Sequence, residues 1–370
     1  MRLFNIGTLF TGTEFIHNTE LEISHLQTDF DCQGCVVLPG LIDCHTHLVF
    51  AGSRAHEFEM RSRGATYAQI MHAGGGIRNT MQATRKASKQ ELIDLALPRL
   101  QRMLSRGVTA VEIKTGYGLS LESELKMLEV IYELSTLQPI ELYPTFLGAH
   151  AIPPEYDSET YVEHIIRDML PAVREQNIAK SCDIFVEQGA FSVNQARKIL
   201  SKAKELGLHT RVHAEQLSRS GGALLAAELG ALSASHLEYA NLEDAQALAK
   251  AGVIAELLPV AQEFLGMHQL ASGRMLTDAG VKVAVATDFN PGSAMCDDLL
   301  LAARLAVTRG GLSCKEALLG ITSYAAQALG KISVGDYCVL STRNWLDLFY
   351  DWSVNPVRAV FKNGELCYNH

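Results

Sequence analysis

Two histidines one residue apart, His45 and His47, close the apolar run Val36-Val37-Leu38-Pro39-Gly40-Leu41-Ile42-Asp43-Cys44. In an extended strand, side chains two apart point the same way, so the two imidazoles project to one side. There they can share a metal ion. The same pair also describes polar residues capping a buried strand, so its meaning depends on further ligands elsewhere in the chain. Candidates are His150, His213, His236 and Asp288. His45, His47, His213 and Asp288 together make a sensible site for one divalent ion. Three neutral imidazoles and a carboxylate suit Zn²⁺ and equally Fe²⁺. A catalytic ion keeps one position open for water and lowers its pKa from about 15.7 towards about 7. His236 is left over as general base or as a polarising group for a substrate carbonyl. Asp288 is placed both to ligate and to shuttle a proton to a leaving nitrogen.

These residues need a scaffold that brings distant segments to one point. Strand-like runs recur at 42–47, 108–114, 142–148, 182–187, 208–213, 231–236, 253–258 and 281–287. Helix-period stretches lie between them, such as Leu121 to Leu134, Asn194 to Leu206 and Leu242 to Ala251. Gly107, Gly207, Gly230, Gly252 and Gly280 each separate a helical pattern from the next apolar run, as helix-ending glycines do. Eight alternating units indicate an α/β fold, a TIM-like (β/α)8 barrel, with an open doubly wound sheet as the other reading. In such a barrel the chemistry sits at the C-terminal ends of the strands, and the candidates fall there. Residues 1–41 and 331–370 are strand-rich without long helices, which predicts a small β domain formed by both chain ends beside a barrel over 42–330. Short strands are expected at Arg2–Ile6, Glu14–Ile16 and Leu21–Ile23. At the other end, Asn363-Gly364 marks a hairpin.

Composition narrows the function class. Of 370 residues, 48% are hydrophobic and 20% charged, as in an ordinary globular protein with a sizeable core. The net charge is -9 and no basic cluster stands out, which argues against nucleic acid as a partner. No stretch reaches the apolar length of a membrane span. The cysteines, Cys32, Cys35, Cys44, Cys182, Cys296, Cys314, Cys338 and Cys367, are spaced too irregularly for a disulfide framework. Reduced thiols and a cytoplasmic location are expected. Cys44, between the histidines, points to the other face and belongs in the core.

Pro39-Gly40-Leu41-Ile42-Asp43-x-His45-x-His47, followed by His213, His236 and Asp288 at later strand ends, resembles the amidohydrolase superfamily. Further stretches narrow the likeness to its branch that opens an imidazolone ring. They are His47-Leu48-Val49-Phe50-Ala51-Gly52-Ser53-Arg54, His72-Ala73-Gly74-Gly75-Gly76-Ile77, Glu112-Ile113-Lys114-Thr115-Gly116-Tyr117-Gly118, Thr145-Phe146-Leu147-Gly148-Ala149-His150 and Ala286-Thr287-Asp288-Phe289-Asn290-Pro291-Gly292. The resemblance spans roughly 36–330. It implies hydrolysis of 4-imidazolone-5-propanoate to N-formimidoyl-L-glutamate in histidine degradation, with one metal ion per subunit and a homodimeric assembly. It also implies that Arg54, Tyr117, His150, Asn290, Gly292 and Ser293 bind substrate or product. Arg offers a fork for the propionate, which agrees. Gln216 stands where some family members have Glu; it can hydrogen-bond the ring but not transfer a proton.

Other residues read as structural. Lys114 resembles the carbamylated lysine of two-metal relatives but falls on the wrong strand. Gly74-Gly75-Gly76 follows no apolar strand and reads as a loop over the pocket, not a phosphate cradle. Arg78 and Arg85 read as a solvated helix face. Only 44 residues precede His45, and Gly335-Asp336-Tyr337-Cys338 departs from the family pattern; both differences fall in the small β domain. Alternative functions are a purine or pyrimidine deaminase, a non-catalytic metal-binding barrel and a barrel isomerase.

Overall fold

The apolar run leading to His45 is divided between two sheets. A computed structural model describes residues 2–23, 28–65, 69, 74–330 and 335–370. Strands β1 (Arg2–Phe10), β2 (Phe15–Glu22), β3 (Phe30–Asp31) and β4 (Val36–Pro39) belong to a terminal sheet. The barrel strands follow: β5 (Leu41–Asp43), β6 (Val108–Lys114), β7 (Glu141–Ala149), β8 (Ser181–Val186), β9 (His209–Ala214), β10 (Ser233–His236), β11 (Ile254–Leu257) and β12 (Val283–Val285). The chain then returns to the terminal sheet with β13 (Tyr337–Leu340), β14 (Val357–Lys362) and β15 (Glu365–Asn369), in the order β15-β14-β13-β4-β1-β2 with β3 on β1. The joint between the sheets is Gly40. A Cβ there would lie 2.2 Å from Thr109 Oγ1. The Gly40 amide donates to the Asp336 carbonyl at 2.7 Å, and the Asp336 carboxylate takes Lys362 Nζ at 2.8 Å. The unusual Gly335-Asp336 stretch thus anchors the β14–β15 hairpin to the barrel's first strand.

The eight barrel strands run in sequence order, each parallel to the next. They nearly close. At the seam, Thr46 bridges Phe289, the His47 amide donates to the Phe289 carbonyl at 2.9 Å, and the Asp288 amide donates to His45 at 3.1 Å. The eight predicted strands are present, but β5 ends at Asp43, so His45 and His47 lie beyond it on the seam. All five predicted helix-ending glycines have positive φ. Helices Leu121–Leu137, Val193–Glu205 and Leu242–Ala251 occupy the predicted stretches.

At the N-terminus the expected short strands at 14–16 and 21–23 are two ends of one strand, β2. It forms the edge of the sheet, and its middle residues, His17, Asn18 and Glu20, are polar, which broke the apolar signal. The C-terminal strands and the Asn363-Gly364 turn fall as predicted. All eight cysteines are free, and Cys44 is fully buried. Among the described residues no helix is long and apolar enough to cross a membrane.

Candidate metal centre and substrate pocket

The barrel mouth gathers five candidates from four segments. His45 Nε2 and His47 Nε2 stand 3.5 and 3.4 Å from the same oxygen, Asp288 Oδ1. The ring centroids of His213 lie 4.6 Å from His45 and 5.4 Å from His236. Ligand atoms of His45, His47 and Asp288 form one close group, and those of His45, His213 and His236 another. All five residues are buried. Among the described residues, His45 Nε2 and His213 Nε2 have no hydrogen-bond partner. A tetrahedral ion with bonds of about 2.0–2.1 Å sets its donor atoms roughly 3.3–3.4 Å apart. The spacing at Asp288 and the orphaned nitrogens therefore fit a divalent ion. Burial keeps these imidazoles neutral, as ligands must be: His45 is held well below the usual histidine range and His213 is pushed down to about 4. Burial opposes the charge of Asp288, but His47, His236 and His213 together keep its carboxyl below the ordinary value. His236 moves the other way: burial lowers it, but Glu238, 3.5 Å from Nδ1, raises it further.

Of the residues expected to bind substrate, His150, Tyr117 and Ser293 lie against this centre. His150 stacks on His47 at 5.0 Å and pairs Nδ1 with the Gly116 carbonyl at 3.0 Å. Tyr117 is buried 5.5 Å from His150 and 5.8 Å from His47. Arg54 reaches the loop after β12, where a Cβ on Gly292 would lie 2.0 Å from Arg54 Nη1. Ser293 Oγ donates to Asp288 Oδ2 at 3.4 Å. Asn290 is occupied locally: Nδ2 donates to the Asp288 carbonyl and Ser293 Oγ, and Oδ1 accepts the Gly292 and Ser293 amides at 2.8 Å. Gln216 lies three residues past His213, partly exposed. Arg85 is not on a solvated face. It donates to the Gly118 and Leu119 carbonyls at 2.6 and 3.0 Å and pairs with Glu155, tying its helix to the loop that carries Tyr117. Arg78 is exposed as expected. Of the glycine-rich loop, His72 and Ala73 lie outside the described residues.

The amidohydrolase family model matches residues 36–367. A curated imidazolonepropionase from Myxococcus xanthus is 49% identical over 346 residues, covering 91% of this chain and 82% of its own. One from Xanthomonas campestris is 45% identical over 372 residues, covering 98% and 92%. The chain belongs to the imidazolonepropionase family of amidohydrolases. Solved structures share the fold at much lower identity. A zinc-bound atrazine chlorohydrolase from Arthrobacter aurescens matches with a TM-score of 0.75 at 16% identity, covering 99% of this chain and 94% of its own. A 5-methylcytosine deaminase from Klebsiella pneumoniae matches at 0.74 and 16%, covering 100% and 98%.

Beneath the metal centre of this family member lies a charged layer that the strand-end reading missed. Asp183 Oδ2 faces His213 Nδ1 at 3.1 Å and Lys114 Nζ at 2.8 Å. Lys114 also holds Glu112 Oε1 at 2.7 Å. Glu256 Oε2 faces His45 Nδ1 at 3.2 Å and accepts from Ser235 Oγ at 2.6 Å, while Arg211 pairs with its other oxygen. Burial opposes charge on Asp183, but His213 and Lys114 hold its carboxyl well below the usual range. Burial likewise opposes the Lys114 cation, and Asp183 and Glu112 more than offset it. Lys114 is thus a fixed counter-ion inside the barrel. The signal for this layer was period-two placement: Glu112 with Lys114, and Arg211 with His213, share the inward face of their strands.

Proposed function

We propose that this chain hydrolyses 4-imidazolone-5-propanoate to N-formimidoyl-L-glutamate in histidine degradation. The observation that carries this reading is the partly buried Arg54 set against Gly292, on the loop that follows Asp288, with the buried Tyr117 beside His47. A metal centre serves any cyclic amidohydrolase; Arg54 adds a reason for a substrate with a carboxylate tail. Purine and pyrimidine rings lack that tail. One Zn²⁺ or Fe²⁺ per subunit, held by His45, His47, His213 and Asp288, would supply a Lewis acid and an activated water.

The chain's own groups do the rest. Arg54 and Tyr117 anchor the propionate. His150, with Nδ1 committed to Gly116, offers Nε2 to the ring, and Gln216 offers its amide. Gly292 lets the loop backbone approach the ligand, Ser293 adds a hydroxyl, and Asn290 holds that loop in shape. His236 takes a proton as water attacks the ring carbonyl, and Glu238 favours the imidazolium that forms. Asp288 takes the remaining proton of the added water and delivers it to the ring nitrogen as the C–N bond breaks, and His236 then releases its proton to solvent. The setting we propose is the cytoplasm, with the chain as a homodimer whose solution mass tests the assembly. The reaction is tested with purified protein carrying about one ion per chain, the stoichiometry of a catalytic site with one open position. Loss of the imidazolone and appearance of formimidoylglutamate by mass spectrometry are expected. No turnover, or ammonia release from a purine or pyrimidine instead, overturns the reading.

A further inference from the structure

The helix Ala55–Ser62 turns one stripe toward the loop at Gly292. Arg54, Glu57 and Arg61 occupy it at spacings of three and four residues, which share a helix face. Arg54 donates Nε and Nη2 to the same oxygen, Glu57 Oε2, at 2.9 and 2.8 Å. Arg61 Nη1 donates to the Gly292 carbonyl at 3.1 Å, and Arg54 Nη1 fills the space where a Cβ on Gly292 would lie. Arg61 Nε and Glu57 Oε1 are buried without a hydrogen-bond partner. The Arg61 guanidinium is steadied by Phe264 and Phe58, at 5.5 and 6.0 Å from their ring centroids. Burial and the neighbouring Arg54 charge pull Arg61 below the usual arginine value.

The charge balance is informative. Glu57 already neutralises Arg54, so that pair presents hydrogen-bond donors but no net charge. Among the described residues the cluster of Arg54, Glu57 and Arg61 carries one net positive charge, and Arg61 supplies it. A half-buried guanidinium with an unpartnered, buried Nε in the field of a second one is unfavourable until an anion joins them.

We infer that Arg61 is a specificity-determining residue, completing an Arg54–Glu57–Arg61 anion site and supplying the net charge that selects a carboxylate over its neutral amide. The identity of that carboxylate as a propionate rests on the proposed function; the site itself rests on the geometry. Glu57 orients Arg54, and Arg61 ties the cluster to the loop that follows Asp288.

The test is calorimetric titration of metal-replete protein with 3-(imidazol-4-yl)propanoate and with its propanamide. Wild type is expected to favour the acid by about tenfold or more, the scale of a hydrogen bond to a charged group. In Arg61→Met that preference collapses, and the affinity for the amide falls far less than that for the acid. Arg61→Gln keeps a donor for the Gly292 carbonyl without the charge and behaves like Arg61→Met, which covers the case of a poorly folding Met variant. Arg61→Lys recovers part of the preference. An unchanged acid-to-amide ratio in the Met or Gln variant, or no acid preference in wild type, overturns the proposal. The ring-opening assay is read separately. Selective acid binding without turnover refutes the proposed reaction and leaves the anion site standing; turnover with an unaltered ratio in the variants refutes the site alone.

Discussion

Asp183→Asn removes one negative charge from beneath the metal centre and leaves the shape almost intact. In the native chain a single oxygen, Asp183 Oδ2, faces both His213 Nδ1 at 3.1 Å and Lys114 Nζ at 2.8 Å. Two separable losses follow. First, His213 loses the carboxylate that fixes its tautomer and raises the basicity of its other nitrogen. Loss of such an outer partner weakens metal affinity by about 10–100-fold, or about 1.4–2.8 kcal/mol. Second, among the described residues Lys114 keeps only Glu112, at 2.7 Å, as its close carboxylate. Removing one partner of a buried ion pair costs about 3–5 kcal/mol. Because Glu112 remains and the amide oxygen still accepts a bond, a loss at or below about 3 kcal/mol is expected here. Competition with a chromophoric chelator measures the first loss, and urea unfolding of the metal-free proteins measures the second. Metal affinity within about twofold of wild type refutes the orienting role and leaves Asp183 as a counter-ion to Lys114. Unchanged apo stability refutes the energetic reading of the buried pair.

His236→Ala should lower turnover by roughly 10²–10⁴-fold, the range for a general base, while metal content stays at the wild-type level; retained activity, or loss of the metal, removes His236 from that role. Gly292→Ala puts a Cβ 2.0 Å from Arg54 Nη1. The clash is with the flexible end of a side chain, so the protein should fold and show a raised KM with kcat nearly unchanged; an unchanged KM refutes the placement of Arg54 against this loop. His150 is held well below the ordinary histidine value by burial and then by His47 and His213. Below about pH 6.5 the unfolded chain therefore binds a proton that the native chain refuses, so stability falls as pH falls, by about 1.4 kcal/mol per unit at most for this one residue. In metal-free His150→Gln that part of the acid-side slope should vanish, and an identical slope between pH 6.5 and 5 in urea unfolding would falsify the assignment.

The barrel was legible because its signals are local and repeated. Helical periods ending in Gly107, Gly207, Gly230, Gly252 and Gly280 each announced the next strand, and the ligand candidates sat where those strands end. What escaped notice depends on partners far away in sequence. Arg85 has the neighbours of a solvated helix face, yet its acceptors are the carbonyls of Gly118 and Leu119. Asp183 sits inside an apolar strand and takes its meaning from Lys114 and His213, on two other strands. The division of the run falls at Pro39-Gly40, a local break signal hidden by the apolar residues on either side, and Thr109 leaves no room for a side chain at Gly40. Asn290 is the opposite case. Its capture by the Gly292 and Ser293 amides is an Asx turn that Asn-Pro-Gly-Ser permits locally.

Backbone strain at the mouth is the property least visible in sequence, and it bears directly on how the site holds its shape. His236, Leu237 and Asp288 have φ of 77°, 68° and 55°, a region that side chains with a Cβ rarely adopt. Such conformations cost on the order of 1–3 kcal/mol each and persist only when the surroundings over-determine them. Here the surroundings are neighbouring strand ends. Leu237 donates to the Ala214 carbonyl at 3.0 Å, Tyr239 to Glu215 at 2.8 Å, and Asp288 to His45 at 3.1 Å. Each strained residue is thus gripped by the backbone of an adjacent segment of the site: His236 and Leu237 by the end of the His213 strand, Asp288 by the His45 segment. The bonds that close the barrel therefore also turn its catalytic candidates inward. A change that loosens the seam between His45 and Asp288 would release the strain at Asp288 and move a proposed ligand, even though no side chain of the metal set had been altered.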